Sequence, residues 1–163
     1  MWFAIFIFIL ILQRLLELIV ARRNEKWLLK NGALEYGQKH YPFIVLLHVL
    51  FIASLIIEYV TKQTTSLNVV CLTIYFVLVV LKLWTISSLG KYWNTKIYRI
   101  PGMSPVNKGP YKFFKHPNYI IVIGEIAVIP LIFNLYFTAI LFTALNAIML
   151  SVRISDENKI WQA

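Results

Sequence analysis

The chain has 163 residues, of which 60% are hydrophobic and 14% charged, a composition that excludes an ordinary soluble domain. Its 16 Lys and Arg residues outnumber its 7 Asp and Glu residues, which gives a formal charge of +9. In a soluble protein this excess would suggest nucleic acid binding. Here the basic residues lie in short stretches between apolar runs, so the positive-inside rule explains them better, and we expect no nucleic acid partner.

The apolar runs predict an all-α integral membrane protein with about five transmembrane helices. A spanning helix needs roughly 20 mostly apolar residues. The stretch 119–152 is too long for one span, and Pro130 and Asn134 favour a break within it. It therefore predicts a C-terminal helical hairpin. The predicted helices cover residues 2–20, 42–59, 67–89, 119–132 and 135–152 of a single domain, residues 1–163.

The first apolar run predicts a retained helix rather than a secretory signal peptide. No basic segment precedes it, and Arg14 and Glu17 stand where a signal peptide would have small residues for cleavage.

The loops predict the orientation of the helices. Basic residues concentrate in the first loop, the third loop and the tail, while the second loop carries Lys62 and the hairpin turn carries no charge. By the positive-inside rule, the N-terminus is outside and the C-terminus is cytoplasmic, in the cell membrane. The basic residues of the three segments are Arg22, Arg23, Lys26, Lys30, Lys39, Lys91, Lys96, Arg99, Lys108, Lys112, Lys115, Arg153 and Lys159.

The third loop, residues 90–118, is long for so small a protein, and loops of this length are usually functional or disordered. Its many aromatic residues argue against disorder and predict a packed structure at the membrane surface. An interfacial belt of aromatic residues is the alternative interpretation.

This loop ends in a distinctive motif. Gly109-Pro110-Tyr111 is followed, after a three-residue spacer, by Lys115-His116-Pro117-x-Tyr119, and Arg153 and Glu157 come after the predicted hairpin. Together these residues resemble the isoprenylcysteine carboxyl methyltransferase family and its phospholipid-methylating relatives. Leu89-Gly90-x-x-Trp93 is also similar to the family's approach to this loop. The resemblance covers residues 89–160.

The resemblance implies a membrane methyltransferase that uses S-adenosylmethionine without a Rossmann domain. It implies a cytoplasmic cofactor-binding loop, and a lipophilic or prenylated substrate that enters from the membrane lipid. The implied cofactor-binding residues are Tyr111, Lys115, His116, Pro117, Tyr119 and Glu157. The implied catalytic residues are Arg153 and Glu157, and Trp93 and Glu125 are expected to bind substrate.

These residue types suit the implied roles. Glu157 can accept hydrogen bonds from the ammonium or ribose of the cofactor. Arg153 can hold an acidic substrate oxygen in its deprotonated form, which a methyl-accepting nucleophile needs. Pro117 suits the first position of a helix, whose N-terminal amides can meet a carboxylate.

Simpler interpretations stay open for each of these residues. His116 can be a turn residue, and Tyr111 and Tyr119 can belong to an aromatic belt. Arg153 can be a positive-inside anchor, with Glu157 as its partner one helical turn later. Whether Asp156 or Glu157 is the main acidic residue also stays open.

Charged residues inside the predicted spans are costly and therefore informative. Glu125 can line the cavity, orient Arg153, or pair with Lys82 or Arg14. The same residues support a rival hypothesis, a non-enzymatic small transporter or scaffold subunit with an intramembrane polar path.

The segment 31–42 is similar to one in a bacterial branch of the family that is linked to O-methylation of alkylpyrones. The expected acceptor is therefore a prenylcysteine-type carboxylate or an alkylpyrone-type hydroxyl. No metal is expected, because the single cysteine, Cys71, and the scattered His40 and His48 do not form a ligand set.

Overall fold

A computed structural model describes residues 1–63 and 66–162, with side chains described up to residue 159. Five helices dominate this part of the chain, together with one short two-stranded sheet and two 3₁₀ turns. In chain order the elements are α1 (Trp2–Lys30), β1 (Leu34–Tyr36), α2 (Tyr41–Lys62), α3 (Val69–Leu89), a 3₁₀ turn (Gly90–Tyr92), β2 (Ile97–Arg99), a second 3₁₀ turn (Gly109–Lys112), α4 (Pro117–Ile132) and α5 (Tyr136–Gln162).

The predicted all-α membrane architecture is confirmed. Helices α1, α2, α3 and α5 are each long and apolar enough to cross a membrane, and α4 is a shorter apolar helix. The 16 residues of α4 extend over about 24 Å, somewhat less than the roughly 30 Å of a bilayer core. The protein is therefore a multi-pass membrane protein.

Two helices continue well beyond their apolar runs. Helix α1 ends at Lys30 rather than at residue 20, and α5 ends at Gln162 rather than at residue 152. Hydropathy marks where the chain leaves the bilayer, whereas hydrogen bonding and packing decide where a helix ends. Helix α3 begins at Val69 because the Asn68 side chain accepts a hydrogen bond from the Cys71 amide at 3.1 Å.

The sheet joins two loops that were both predicted to lie on the same side of the bundle. Strands β1 and β2 are antiparallel, with Glu35 opposite Tyr98 and Tyr36 opposite Ile97. Because β1 precedes α2 and β2 follows α3, their pairing fixes the first and third loops at one end of the bundle. We call this end the loop end.

Helix α4 packs between α3 and α5 at the centre of the bundle. Ile126, Ile129 and Ile132 on α4 are fully buried. Gly124 allows the close approach of α3, because a Cβ atom at this position would lie 3.0 Å from both terminal methyl groups of Leu78. A tight turn connects α4 to α5. In this turn the Leu135 amide donates to the Pro130 carbonyl at 3.0 Å.

The N-terminus of α5 is capped by a side chain from α2. The carboxylate of Glu58 accepts hydrogen bonds from the backbone amides of Phe137 at 3.1 Å and Thr138 at 2.8 Å. Lys62 pairs with the same carboxylate at 2.9 Å. Because the first amides of a helix have no partner within it, this cap fastens α2 to the hairpin at the end of the bundle opposite the loop end.

A cluster of four charged residues connects α1 with α3 and α4 within the span region. Glu125 Oε2 lies 2.8 Å from Arg14 and 2.6 Å from Lys82. Glu17 pairs with the same two cations, at 2.9 Å from Arg14 and 3.1 Å from Lys82. Two cations and two carboxylates cancel, so the cluster brings no net charge into the apolar bundle. We call it the neutral cluster.

Replacing one member of the neutral cluster is expected to destabilise the bundle. Lys82→Met leaves two carboxylates facing one cation, and breaking a buried ion pair in this way typically costs about 3–5 kcal/mol. Thermal unfolding in detergent micelles measures the loss. The double variant Lys82→Met/Glu125→Gln restores neutrality and should recover much of the stability. A double variant that loses the sum of the two single effects would contradict this account.

Candidate functional site

The start of α4 and the end of α5 meet at the loop end. The Tyr119 hydroxyl donates a hydrogen bond to the Glu157 carboxylate and accepts one from Arg153 Nε at 3.0 Å. A second nitrogen of Arg153 donates to the Thr95 carbonyl at 2.6 Å. These bonds join the two arms of the hairpin to the third loop.

His116 lies against the same tyrosine. Its ring stacks on the Tyr119 ring, with centroids 5.2 Å apart and planes 17° from parallel. Its Nδ1 atom is 3.5 Å from Glu157, and the Arg153 guanidinium lies 5.4 Å from the centre of the Tyr119 ring. Four residues that the sequence singled out thus form one contiguous group.

This group forms part of the wall of a cavity of about 270 Å³ at the loop end. Small-molecule sites usually enclose roughly 300–1,000 Å³, so the cavity is close to the lower end of that range. The predicted site residues that line it are Trp93, Tyr111, Lys115, His116, Tyr119, Arg153 and Glu157. Pro117 lies outside this lining and is buried as the first residue of α4, the position that its ring favours.

Glu125 does not join the other predicted site residues. Its side chain is fully buried in the neutral cluster, with Arg14 and Lys82, and it is not part of the cavity wall. Of the three roles considered for Glu125, the structure places it in the ion-pairing one. A carboxylate held in this way by Arg14 and Lys82 is not positioned to contact a ligand in the cavity.

The two adjacent acidic residues of α5 face different neighbours. Glu157 lines the cavity, whereas Asp156 pairs with His40 of the first loop at 2.8 Å. Lys115, at the cavity wall, donates to the side chain of Asn158. Glu157 is therefore the carboxylate that is placed to meet a ligand, and Asp156 ties α5 to the first loop.

The Gly109–Lys112 turn brings Tyr111 to the cavity. Gly109 has φ +54°, and a Cβ atom there would lie 2.0 Å from the Ser88 hydroxyl of α3. Only glycine therefore permits the turn to pack so closely on α3. Burial and the nearby charge of Glu157 raise the pKa of Tyr111, so its phenol stays protonated and neutral.

No group of three or more His, Cys, Asp and Glu side chains comes together as a metal site within the described residues.

Comparison with known proteins places this arrangement in a family. The isoprenylcysteine carboxyl methyltransferase family matches residues 69–163, which include all of the hairpin and the third loop. The chain belongs to this family. The predicted resemblance is thereby confirmed, and the chain is a member of a family of membrane methyltransferases.

Two bacterial relatives extend the likeness over nearly the whole chain. An uncharacterised protein of Bacillus subtilis, YpbQ, is 47% identical over 162 residues, covering 98% of this chain and 96% of the relative. An uncharacterised protein of Haemophilus influenzae is 30% identical over 148 residues, covering 88% of this chain and 86% of the relative. No solved structure matches the chain.

Helix α1 lies outside the part matched by the methyltransferase family, yet it holds the third loop in place. Asn24 donates to the carbonyls of Gly90 at 3.0 Å and Trp93 at 2.7 Å. Asn94 in turn donates to the Ala21 carbonyl at 2.8 Å. Neither asparagine was predicted to have a role, because a polar residue near the end of an apolar run carries no local signal of a partner about 70 positions away.

A second set of contacts fixes the sheet beside the cavity. Lys96 lies 2.8 Å from Glu25 of α1 and 3.3 Å from Glu35 of β1. The Tyr98 hydroxyl donates to the same two carboxylates, at 2.6 and 3.1 Å. We call these four residues the loop clamp. Hydrogen bonds to the carboxylates raise the pKa of Lys96, while burial and the same carboxylates raise the pKa of Tyr98.

The turn at Gly109 should tolerate no side chain. Gly109→Ala combines a positive φ with a clash against Ser88, whereas Gly102→Ala, at φ +78° with no atom within 4 Å, tests the strained backbone alone. That strain costs about 1–2 kcal/mol. We expect Gly109→Ala to lose at least twice as much unfolding free energy as Gly102→Ala. Equal losses, measured by thermal unfolding in detergent, would contradict the close packing on α3.

The loop clamp should weaken in alkali. Lys96 and Tyr98 both have raised pKa values in the folded protein, so each keeps its proton longer when folded. Their contribution to stability is complete below their ordinary pKa values, about 10, and is lost progressively as the pH rises from there towards the folded values. Tyr98→Phe should therefore show a smaller fall in melting temperature between about pH 9 and pH 11 than the wild type does. Tyr36→Phe in β1 is the matched control, and its melting temperature should fall over this pH range by as much as that of the wild type.

Proposed function

We propose that the chain is an S-adenosylmethionine-dependent O-methyltransferase that acts on a lipid-like acceptor at the cytoplasmic face of the cell membrane. The acceptor is an acidic oxygen on a lipid tail, of the prenylcysteine-carboxylate or alkylpyrone-hydroxyl type. The observation that carries the proposal is the convergence of His116, Tyr119, Arg153 and Glu157 on one cavity at the loop end of a membrane bundle. Membership of the methyltransferase family supports the reaction class.

The residues at the cavity fit the chemical groups of this cofactor. Its ammonium and ribose need acceptors, which Glu157 offers, and its carboxylate needs donors, which Lys115 and His116 offer. His116 Nε2 is buried and has no hydrogen-bond partner among the described residues. A buried nitrogen without a partner at a cavity wall is what a polar ligand would satisfy. When bound, S-adenosylmethionine supplies a methyl group that is activated by a positively charged sulfur.

The charges of the wall favour an acceptor with an ionised oxygen. Arg153 is held in place by Tyr119 and the Thr95 carbonyl, so its charge is fixed at the wall. A fixed cation stabilises a nearby oxyanion and lowers its pKa, which prepares it to accept a methyl group. The aromatic residues around the cavity, including Tyr111 and Trp93, exclude water and help to align the reactants.

The same charges argue against an amine acceptor. The residues that line the cavity include four basic side chains and one carboxylate, Glu157. The basic residues are Lys96, Arg99, Lys115 and Arg153. Lys96 is already paired with Glu25 and Glu35 in the loop clamp, so the positive charge that a ligand would meet comes chiefly from Lys115 and Arg153. An ammonium substrate would be repelled by this wall, whereas a carboxylate, enolate or phenolate would be attracted. O-methylation is therefore favoured over the N-methylation carried out by phospholipid-methylating relatives.

The orientation of the bundle follows from its basic segments. The loop end carries the first loop, the third loop and the end of α5, where the basic residues concentrate. We place this end in the cytoplasm, where the cofactor is made, with the N-terminus outside. The lipid tail of the acceptor would enter from the bilayer beside the helices.

Binding of S-adenosylhomocysteine tests the proposal. Calorimetry on the detergent-solubilised protein should detect binding, and Glu157→Gln should weaken it by roughly tenfold or more, since a charge-assisted hydrogen bond is lost. Asp156→Asn is the matched control, because Asp156 is adjacent in sequence but pairs with His40. It should stay within about twofold of the wild type.

Absence of binding by the wild-type protein would overturn the proposal. If binding occurs, membranes containing the protein should be incubated with methyl-labelled S-adenosylmethionine and a lipid extract. The label should appear in an ester or ether of a lipophilic acid. Label recovered in a methylamine would overturn the O-methyl assignment.

A further inference from the structure

The indole nitrogen of Trp93, like His116 Nε2, is a buried polar atom at the cavity that has no hydrogen-bond partner among the described residues. Trp93 is 3% exposed and lines the cavity, yet its indole nitrogen has no hydrogen-bond partner within the part of the chain that the structure describes. An indole N–H is a donor only, and a buried one nearly always finds an acceptor. Leaving it unsatisfied costs stability, so a tryptophan here needs a compensating role.

The position of Trp93 is held by the backbone on both sides of it. Its own amide donates to the Gly90 carbonyl at 3.2 Å, closing the 3₁₀ turn that ends α3. Its carbonyl accepts from Asn24 of α1 at 2.7 Å, and the same amide group of Asn24 holds the Gly90 carbonyl at 3.0 Å. These bonds fix the backbone of Trp93, and the burial of its side chain restricts the indole before any ligand arrives, which lowers the entropy cost of binding.

The charge of the cavity indicates what the indole would meet. A donor needs an acceptor, and the basic wall around it selects an acceptor that carries negative charge. We infer that Trp93 binds an anionic ligand oxygen through its indole N–H, and that Asn24 is the positioning residue that holds it there. This inference rests on the proposed function and adds a specific contact to it.

Two ligands of the proposed reaction carry such an oxygen. One is the carboxylate at the amino-acid end of the cofactor, and the other is the acidic oxygen of the lipid acceptor. The shared chemistry is an oxyanion that accepts one hydrogen bond from Trp93. S-adenosylhomocysteine, the product form of the cofactor, carries the first oxygen but not the second, so its effect on Trp93 distinguishes the two.

Nuclear magnetic resonance of the indole N–H groups tests the contact directly. The protein has five tryptophans, and Trp93→Phe identifies the signal of Trp93 by its disappearance. S-adenosylhomocysteine should shift this signal downfield if the cofactor carboxylate is the partner, whereas 5′-methylthioadenosine, which lacks the amino-acid end, should not. Palmitate should shift it, and hexadecanol should not, if the acceptor oxygen is the partner.

Affinity provides the second measurement. Replacing Trp93 by β-(3-benzothienyl)alanine keeps the ring shape and removes the N–H, so it should weaken the ligand that shifts the signal by roughly tenfold. Trp27→Phe is the matched control, because Trp27 packs edge-on against Tyr92 outside the cavity lining. It should leave both affinities unchanged. Asn24→Ala should weaken the same ligand as the Trp93 replacement does, and a broadened Trp93 signal should accompany the loss.

The outcomes separate this inference from the proposed function. If S-adenosylhomocysteine binds but neither oxyanion moves the Trp93 signal, the inference is overturned and the methyltransferase assignment stands. A benzothienyl variant with wild-type affinity for both ligands would overturn it as well. If neither ligand binds the wild-type protein, both fail together.

Discussion

The candidate site depends on one contact, in which the Tyr119 hydroxyl lies between Arg153 and Glu157. This contact requires the chain to reverse direction tightly, so that the first turn of α4 and the last turns of α5 reach the same level. The turn at residues 133–135 provides the reversal, and Glu58 of α2 fixes the start of α5 beside it. A shift of α5 by one residue would rotate it by 100° and turn both charged side chains away from the tyrosine.

The sequence was most informative where the determinants are local. The His116-Pro117-x-Tyr119 segment and the spacing of Arg153 and Glu157 each depend on residues within two helical turns, and the structure brings them together at one cavity. The four-residue spacing alone places Arg153 and Glu157 on one helix face. The spacing does not indicate which part of the protein that face contacts. Asp156 and Glu157 are therefore distinguished only by the fold, in which Asp156 pairs with His40 and Glu157 lines the cavity.

The contacts that escaped prediction all join distant parts of the chain. The pairing of β1 with β2, the grip of Asn24 on the 3₁₀ turn and the loop clamp each connect the first forty residues with residues 90–99. Their members are common polar residues whose spacing carries no periodic signal. The role of Glu125 also depended on distant partners. A carboxylate inside a span indicates either a functional site or an ion pair, and only the fold shows that other helices bring two cations, Arg14 and Lys82, to Glu125.

Charge is balanced within the membrane spans but not at the cavity of the loop end. Within the spans, two carboxylates and two cations cancel, since an unbalanced charge in apolar surroundings is costly. At the loop end, Arg153 and Lys115 face a cavity with Glu157 as its one acidic lining residue, so positive charge is left uncompensated beside a space that a ligand can enter. The neutral cluster holds α1 against α3 and α4, and α1 then positions the third loop through Asn24. The neutral cluster thus helps to hold in place the cavity wall, where the positive charges of Arg153 and Lys115 can select an anionic ligand.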